Sequence, residues 1–324
     1  MYRMRKASFQ ELEQLISPII RRQNTNMREC VSAGERILIT LRYLATGCTY
    51  SALALYFARG VTTVSYIVNE TTLAIWNTLH NVYMKIPSNE KWKEIANRFY
   101  ELWNLPNCLG AIDGKHVRIQ KIPNSGSTNY NYKHYHSIVL LAVCDADGLF
   151  TMIETGYAGR NNDGGIFRAS NLCQWLERNG LNLPASACLP HDESQEKVPY
   201  FFVGDNAFPL KRYLMRPFPV QTLDNKKRIF NYRLSRGRKT IECSFGMVTQ
   251  KFCVLHNFIR IKDGTWYSTP TSEHRLNIAV QNYNLLEEII RINPASSGAT
   301  VRNYLANYFI KPNSSISWQY NYCL

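Results

Sequence analysis

The chain has 324 residues, 45% of them hydrophobic and 19% charged, and a formal net charge of +14. That length suits one large domain or a domain with a helical appendage, and the composition excludes wholesale disorder. The positive field points to a polyanionic partner, nucleic acid or an anionic surface, against the plainer reading of a generically basic soluble protein. No apolar run approaches the ~18 residues of a membrane span. The start, MYRMRKASFQELEQL, lacks the apolar core of a signal peptide, so a soluble, intracellular protein is expected. The nine cysteines are an odd number without repeated CxxC pairs, which fits free thiols rather than disulfides or a structural zinc site. The isolated CxxH at Cys253 and His256 is expected to be core.

Residues 1–29 are polar and form a weakly ordered arm, with at most a short helix from Glu11 to Arg22. Residues 30–106 are helical. Ser32 and Glu35 make a capping box, Ile37, Leu38, Leu41 and Leu44 follow at helical spacing, and Gly47 is a stop. SALALYFARG and the helix after Gly60 then form a helix-turn-helix. Its second helix, capped at Thr62 or Thr63, is a candidate for a DNA groove, although its start offers Thr62, Thr63, Ser65 and Tyr66 and no Lys or Arg. Asn89 caps one more helix, which Pro106 ends.

At residue 108 the pattern changes to strands. CLGAIDGKHVRIQ is expected to enter a turn at Asp113-Gly114 and leave as a second strand. The run Ile138 to Cys144 is continuously apolar, so that strand is buried on both faces, and Asp147-Gly148 marks a hairpin. A helix carries Phe167, Leu172, Trp175 and Leu176, and a short strand, Tyr200 to Val203, ends at Gly204-Asp205. A long basic helix follows, with a buried stripe at Ile241, Phe245, Val248 and Phe252. The whole is a mixed sheet flanked by helices, an α/β arrangement.

Three carboxylates stand out against this frame. Asp113 and Asp205 end strands, where α/β folds place ligands, and Glu242 sits on the long helix. Each has a plainer reading: turn residues for the aspartates, an i,i+4 ion pair with Arg238 for Glu242. Converging, they could hold two divalent cations, Mg²⁺ or Mn²⁺, around a phosphodiester. Lys226, Lys227, Arg228, Arg233 and Arg236 would lie along a DNA backbone.

Several segments together resemble the PIF/Harbinger-type DDE transposases and their domesticated relatives, the Harbinger transposase-derived nucleases. They are GAIDGKHV at 110–117, NYKHYHSIVLLAVCDADG at 131–148, GRNNDGGIF at 159–167, VGDNAFPL at 203–210, NYRLSRGRKTIECSFG at 231–246 and LHNF at 255–258, with TLRYLATG at 40–47. The resemblance covers roughly residues 30 to 265 and implies an RNase H-like fold with a metal-dependent DDE triad, here Asp113, Asp205 and Glu242. It implies that Asp163 supports the site, beside its reading as a helix N-cap, and that His116, Lys133 and Arg238 steady phosphate. It implies DNA as substrate, a separate Myb-like DNA-binding partner, and residence in the nucleus, or in nucleus and cytoplasm. A catalytically inactive DNA- or protein-binding relic is the alternative. The chain departs from the family after Phe252, where a connecting segment before the LHN motif is missing. The expected domains are the helical region 30–106, the nuclease domain 107–262 and a C-terminal helical tail 263–324. With no Gly or Pro between Phe252 and Cys253, one continuous helix through the LHN motif is expected.

Overall fold

The computed structural model describes residues 4–27, 29–248, 253–264 and 296–323. The chain divides into two compact units, with boundaries at Lys85/Ile86 and at Ser244/Phe245; residues 296–323 belong with the second. These differ from the expected boundaries. The helix before Pro106 joins the sheet-containing unit, and the LHN segment joins the N-terminal helices.

The first unit contains α1 (Lys6–Ile20), α2 (Ala33–Thr46), α3 (Tyr50–Phe57), α4 (Val61–Tyr83) and α9 (Cys253–Asp263). The short helix expected from Glu11 to Arg22 is the longer α1, which begins at Lys6 within the expected arm, because Leu12, Ile16 and Ile20 recur at helical spacing and are fully buried. They pack with Ile37, Leu41, Ile75 and Leu79 and with Val254, Leu255, Phe258 and Ile259 of α9. Ser8 Oγ and the Arg5 N–H both donate to the Asp263 carboxylate, tying the start of α1 to the end of α9. Cys253 and His256 lie inside, as core residues.

Half of the expected capping box forms: Ser32 Oγ accepts the Glu35 N–H at 3.2 Å, while the Glu35 carboxylate accepts both of its bonds from Arg59, and Gly47 ends α2 in the left-handed region at φ 64°. Helices α3 and α4 meet at 105°, the geometry of a helix-turn-helix, held by Leu53, Val64, Ile67 and Val68. The cap of α4 is Gly60 rather than either threonine. Among the described residues no single helix is long and apolar enough to cross a membrane. Whether the helix is continuous from Phe252 to Cys253 concerns residues outside those described, as does residue 252 of the expected stripe.

The second unit is built on a five-stranded sheet of order β3-β2-β1-β6-β7. β1 (Cys108–Arg118), β2 (Ser137–Cys144) and β3 (Phe150–Ala158) form an antiparallel meander. β6 (Phe201–Val203) and β7 (Leu214–Met215) extend it in parallel from the other edge of β1. This is the mixed α/β sheet of an RNase H-like fold. β2 lies inside the sheet, between β3 and β1, and is buried almost throughout, and the turn after it carries Gly148 at φ 77°. β4 (Ala187–Cys188) and β5 (Lys197–Val198) make a separate small ribbon.

The expected turn at Asp113-Gly114 does not occur. β1 runs straight through, with Asp113 opposite Ala142 and Gly114 opposite Leu141. Helix α5 (Asn89–Trp103) covers β1 and buries Trp92 edge-on against Phe202, 5.7 Å between ring centres. Its cap is Ser88, whose Oγ accepts the Lys91 N–H, rather than Asn89. The expected single helix after residue 160 is two, α6 (Asp163–Ala169) and α7 (Asn171–Glu177), separated where Ser170 caps the second.

The long helix α8 (Asn225–Val248) buries Ile241 and Phe245. Of the C-terminal tail, α10 (Ser296–Tyr308) and α11 (Gln319–Cys323) lie within the described residues. Cys30, Cys48, Cys108, Cys144, Cys173, Cys188, Cys243 and Cys253 are free thiols.

Candidate metal centre

Three aspartates reach one place by three routes. β1 and β6 run parallel with Ala111 opposite Val203. Strand side chains alternate between faces, so the residues two places further along share that pair's face and stand side by side. Those residues are Asp113, still inside β1, and Asp205, just beyond β6. β1 outruns β6 here, which leaves the edge beside Asp113 open. Local donors orient both carboxylates: Gly114 N–H donates to Asp113 Oδ1 at 2.9 Å, and Ala207 N–H to Asp205 Oδ1 at 2.8 Å.

The third is Asp163, the first residue of α6. It is not the N-cap. Asn162 takes that role, accepting the Gly165 N–H at 2.7 Å, so the Asp163 carboxylate is released toward β1. Gly114 makes the approach possible, since a Cβ there would sit 2.0 Å from Asp163 Oδ1. Gly164 does the same for the turn after β6, where a Cβ would sit 2.1 Å from the Ala207 carbonyl oxygen. One oxygen from each of Asp113, Asp163 and Asp205 lies within 4.8 Å of the others.

The electrostatics of this cluster call for a cation. Burial pushes the Asp113 carboxyl up to about 7; Arg238 opposes the shift, and Asp205 and Asp163 add to it. Asp163 is pushed up to about 6 by burial and by Asp205, against the pull of Lys133. Desolvation and like charge both penalise the ionised state, and a divalent ion bound between the carboxylates relieves both. An all-oxygen donor set is the chemistry of a hard cation such as Mg²⁺ or Mn²⁺, so the residues present fit a divalent metal.

Glu242 lies outside this trio. Its side chain is 43% exposed and its Oε1 is 3.5 Å from Arg238 Nη2, the i,i+4 ion pair that the spacing allows. Since Ile241 and Phe245 point into the core, the helical turn of about 100° per residue carries position 242 outward. Arg238 itself is largely enclosed, 13% exposed, and its Nε has no hydrogen-bond partner. Its charge acts on Asp113 from one side while it pairs with Glu242 on the other.

His116 is half-buried, its Nδ1 2.9 Å from Ser137 Oγ. Burial, then Lys133 and Lys115, hold its pKa below the usual histidine value. Lys133 is exposed, yet its charge reaches both Asp163 and His116.

The basic face of α8 is solvated only in part, against expectation. Arg233 is 1% exposed and cannot lie along a nucleic-acid backbone. Its guanidinium donates to the Asn104 and Ser314 carbonyls, each at 2.8 Å, and to Gln319 Oε1. It also stacks over Phe309, 4.8 Å from the ring centre. Arg236 reaches Asn104 Oδ1 at 3.1 Å and lies near Trp318. Lys226 donates to Asn307 Oδ1 at 3.2 Å, and Lys227 to the Thr222 carbonyl at 2.7 Å. Both remain half-exposed, and Arg228 is exposed.

Comparison with known proteins gives these features a context. Residues 112–281, just over half of the chain, match the family model described as "DDE superfamily endonuclease". The chain is 24% identical to "Protein ALP1-like" of Arabidopsis thaliana, across 88% of this chain and 73% of that protein. It is 25% identical to "Putative nuclease HARBI1" of Homo sapiens and 26% identical to the Bos taurus protein of the same name. Each of these alignments covers 77% of this chain and 66% of the relative. No solved structure matches the chain.

Proposed function

The chain belongs to the DDE superfamily endonuclease family, and from that premise we propose that it is a metal-dependent nuclease that cleaves DNA phosphodiester bonds, of Harbinger transposase descent. The observation that carries this reading is the meeting of three aspartates at the open edge of β1, with oxygens within 4.8 Å of one another. In this reading Asp113, Asp163 and Asp205 hold the divalent cations. Glu242 remains the third carboxylate that the family resemblance implies, on the helix flanking the cluster. When bound, a pair of such ions supplies Lewis acidity to the attacking and leaving oxygens of an in-line displacement.

The remaining work falls to side chains. Lys133, whose charge reaches Asp163, and His116, on the same strand as Asp113, offer donors to the non-bridging phosphate oxygens. Arg238 opposes the ionisation penalty on Asp113 and keeps Glu242 at the rim. Lys226, Lys227 and Arg228 contribute unspecific backbone attraction. The helix-turn-helix has no Lys or Arg on α4, so target selection is assigned to a separate DNA-binding protein of Myb-like type. The site of action is the nucleus.

Nicking of supercoiled plasmid with Mn²⁺, set beside Asp113→Ala, tests the reading. Cleavage that needs both the metal and Asp113 supports it. DNA binding without cleavage at any metal concentration would make the protein an inactive relic.

A further inference from the structure

The segment between β1 and β2 has no part in holding a metal, yet its backbone is closely fixed. Asn131 is buried and makes the bend: its Oδ1 accepts the Lys133 and Tyr135 N–H groups at 2.9 and 3.3 Å, and its Nδ2 donates to Ser137 Oγ at 2.9 Å. His134 takes the left-handed position at φ 63°. Further along, Arg160 N–H donates to the Thr128 carbonyl at 3.3 Å. A Cβ at Gly159 would lie 2.6 Å from the Asn129 carbonyl oxygen. The loop is therefore clamped to the segment that leads into Asp163.

This frame presents aromatic rings to solvent. Tyr132 is 73% exposed and Tyr130 43%. Burying either ring would be favourable, and neither is buried. Cations interleave with them. Lys133 lies 5.3 Å from the Tyr132 ring and Arg118 4.7 Å from the Tyr135 ring. Tyr132 stands edge-on to His116 at 5.6 Å, and Tyr130 to His136 at 5.3 Å. The Lys133 charge reaches Asp163, so the loop lies beside the aspartate cluster.

We propose that the Tyr130–His134 tip is a stacking platform for unpaired bases, so that the preferred substrate is DNA carrying single-stranded nucleotides beside the scissile phosphate. This rests on the nuclease reading above and specifies its substrate. Exposed rings with interleaved cations are the chemistry that binds single strands: bases stack on the rings and phosphates meet the cations. A fully paired duplex offers its phosphates but keeps its base faces stacked inside. A platform fixed by buried Asn131 loses little conformational freedom on binding.

The test uses the full chain and two fluorescent DNAs, a blunt duplex and the same duplex with a short 3′ tail containing 2-aminopurine. The tailed DNA is expected to bind more tightly and its 2-aminopurine to be quenched. Tyr132→Ala should weaken the tailed complex by roughly fivefold to a hundredfold and relieve the quenching, leaving the blunt complex unchanged. Tyr132→Phe, which keeps the ring, should behave as the parent chain. Tyr132 is exposed, so loss of folding is not at issue. Equal affinity of Tyr132→Ala and parent for tailed DNA overturns the proposal, as does a Tyr132→Phe variant as weak as Tyr132→Ala. Tail preference in a protein that never cleaves would leave the platform standing and sink the nuclease reading. Cleavage that ignores the tail would do the reverse.

Discussion

Asp113 and Asp205 are neighbours because Ala111 pairs with Val203 in parallel register. Two steps along each strand, the same face is reached, and the β6 ladder has stopped. The pairing that builds the sheet thus also brings the two carboxylates together, and Asp163 closes the group by resting against Gly114.

The cluster should make metal-free stability depend on pH. In an unfolded chain an aspartate titrates near 4, whereas in the fold burial pushes Asp113 up to about 7 and Asp163 up to about 6. A raised folded value means that the contribution to stability is whole below about pH 4 and is lost as pH rises through the folded values. The melting temperature in EDTA should therefore fall between about pH 4 and pH 7. Asp113→Asn should remove most of that fall and stabilise the metal-free protein at pH 8 by an amount on the order of a few kcal/mol. Mn²⁺ should stabilise the parent chain and have little effect on the variant. A flat melting profile in EDTA would show that these carboxylates are not held in the strained state described.

Cation affinity should separate the four carboxylates. Alanine at Asp113, Asp163 or Asp205 is expected to weaken Mn²⁺ binding about tenfold or more in calorimetric titration, an effect of the size seen even for residues that support metal ligands. Glu242→Ala should cost less affinity, because Glu242 stands outside the trio and is paired with Arg238, while still reducing cleavage. If Glu242→Ala abolishes metal binding and Asp163→Ala leaves it intact, the ligand set is that of the family resemblance rather than the one seen in this arrangement.

Gly114→Ala is a sharper probe of the same geometry. Its Cβ would overlap Asp163 Oδ1, so the carboxylate must move off β1. Metal affinity should fall to about the level of Asp163→Ala, and the double variant should be no worse than the poorer single, because both remove one interaction. Additive losses would mean that Gly114 matters for strand pairing instead.

Much of the fold is legible in the chain, for local reasons. Ser32 caps α2, Gly47 ends it, and the unbroken apolar run at Ile138–Cys144 is a buried interior strand. The two Asp-Gly pairs mark the limit. Asp147-Gly148 turns the chain, with Gly148 left-handed. Asp113-Gly114 continues the strand, and its glycine clears space for a side chain from α6. The dipeptide is identical; what differs is a neighbour far away in sequence. Asp163 is ambiguous in the sequence for a related reason. The adjacent Asn162 can cap the helix equally well, and a cap frees whichever residue follows it. That asparagine is the signal that points to a free Asp163. Arg233 shows the converse: a basic helix face is read as solvated until the chain's own C-terminus is seen to cover part of it.

That last point divides the basic residues of α8 by experiment. Arg233 is buried, and burial together with Arg236 pulls its guanidinium down to about 10. Its loss would strand the Asn104 and Ser314 carbonyls and Gln319 Oε1. A hydrogen bond to a charged group contributes about 1.5–3 kcal/mol, so Arg233→Ala should destabilise the protein by about 3 kcal/mol or more. The affinity of the remaining folded protein for DNA should not change. Lys226, Lys227 and Arg228 retain solvent access. Each cation taken away from a phosphate should reduce the slope of log K against log salt by about 0.9 on duplex DNA. A Lys226→Ala/Lys227→Ala/Arg228→Ala variant should therefore melt near the parent temperature and show a slope flatter by up to about 2.7, three times that increment. An unchanged slope would place the DNA on another face of the protein. A flattened slope in Arg233→Ala at full folding would mean that the C-terminal segment lifts away and exposes this arginine when DNA binds.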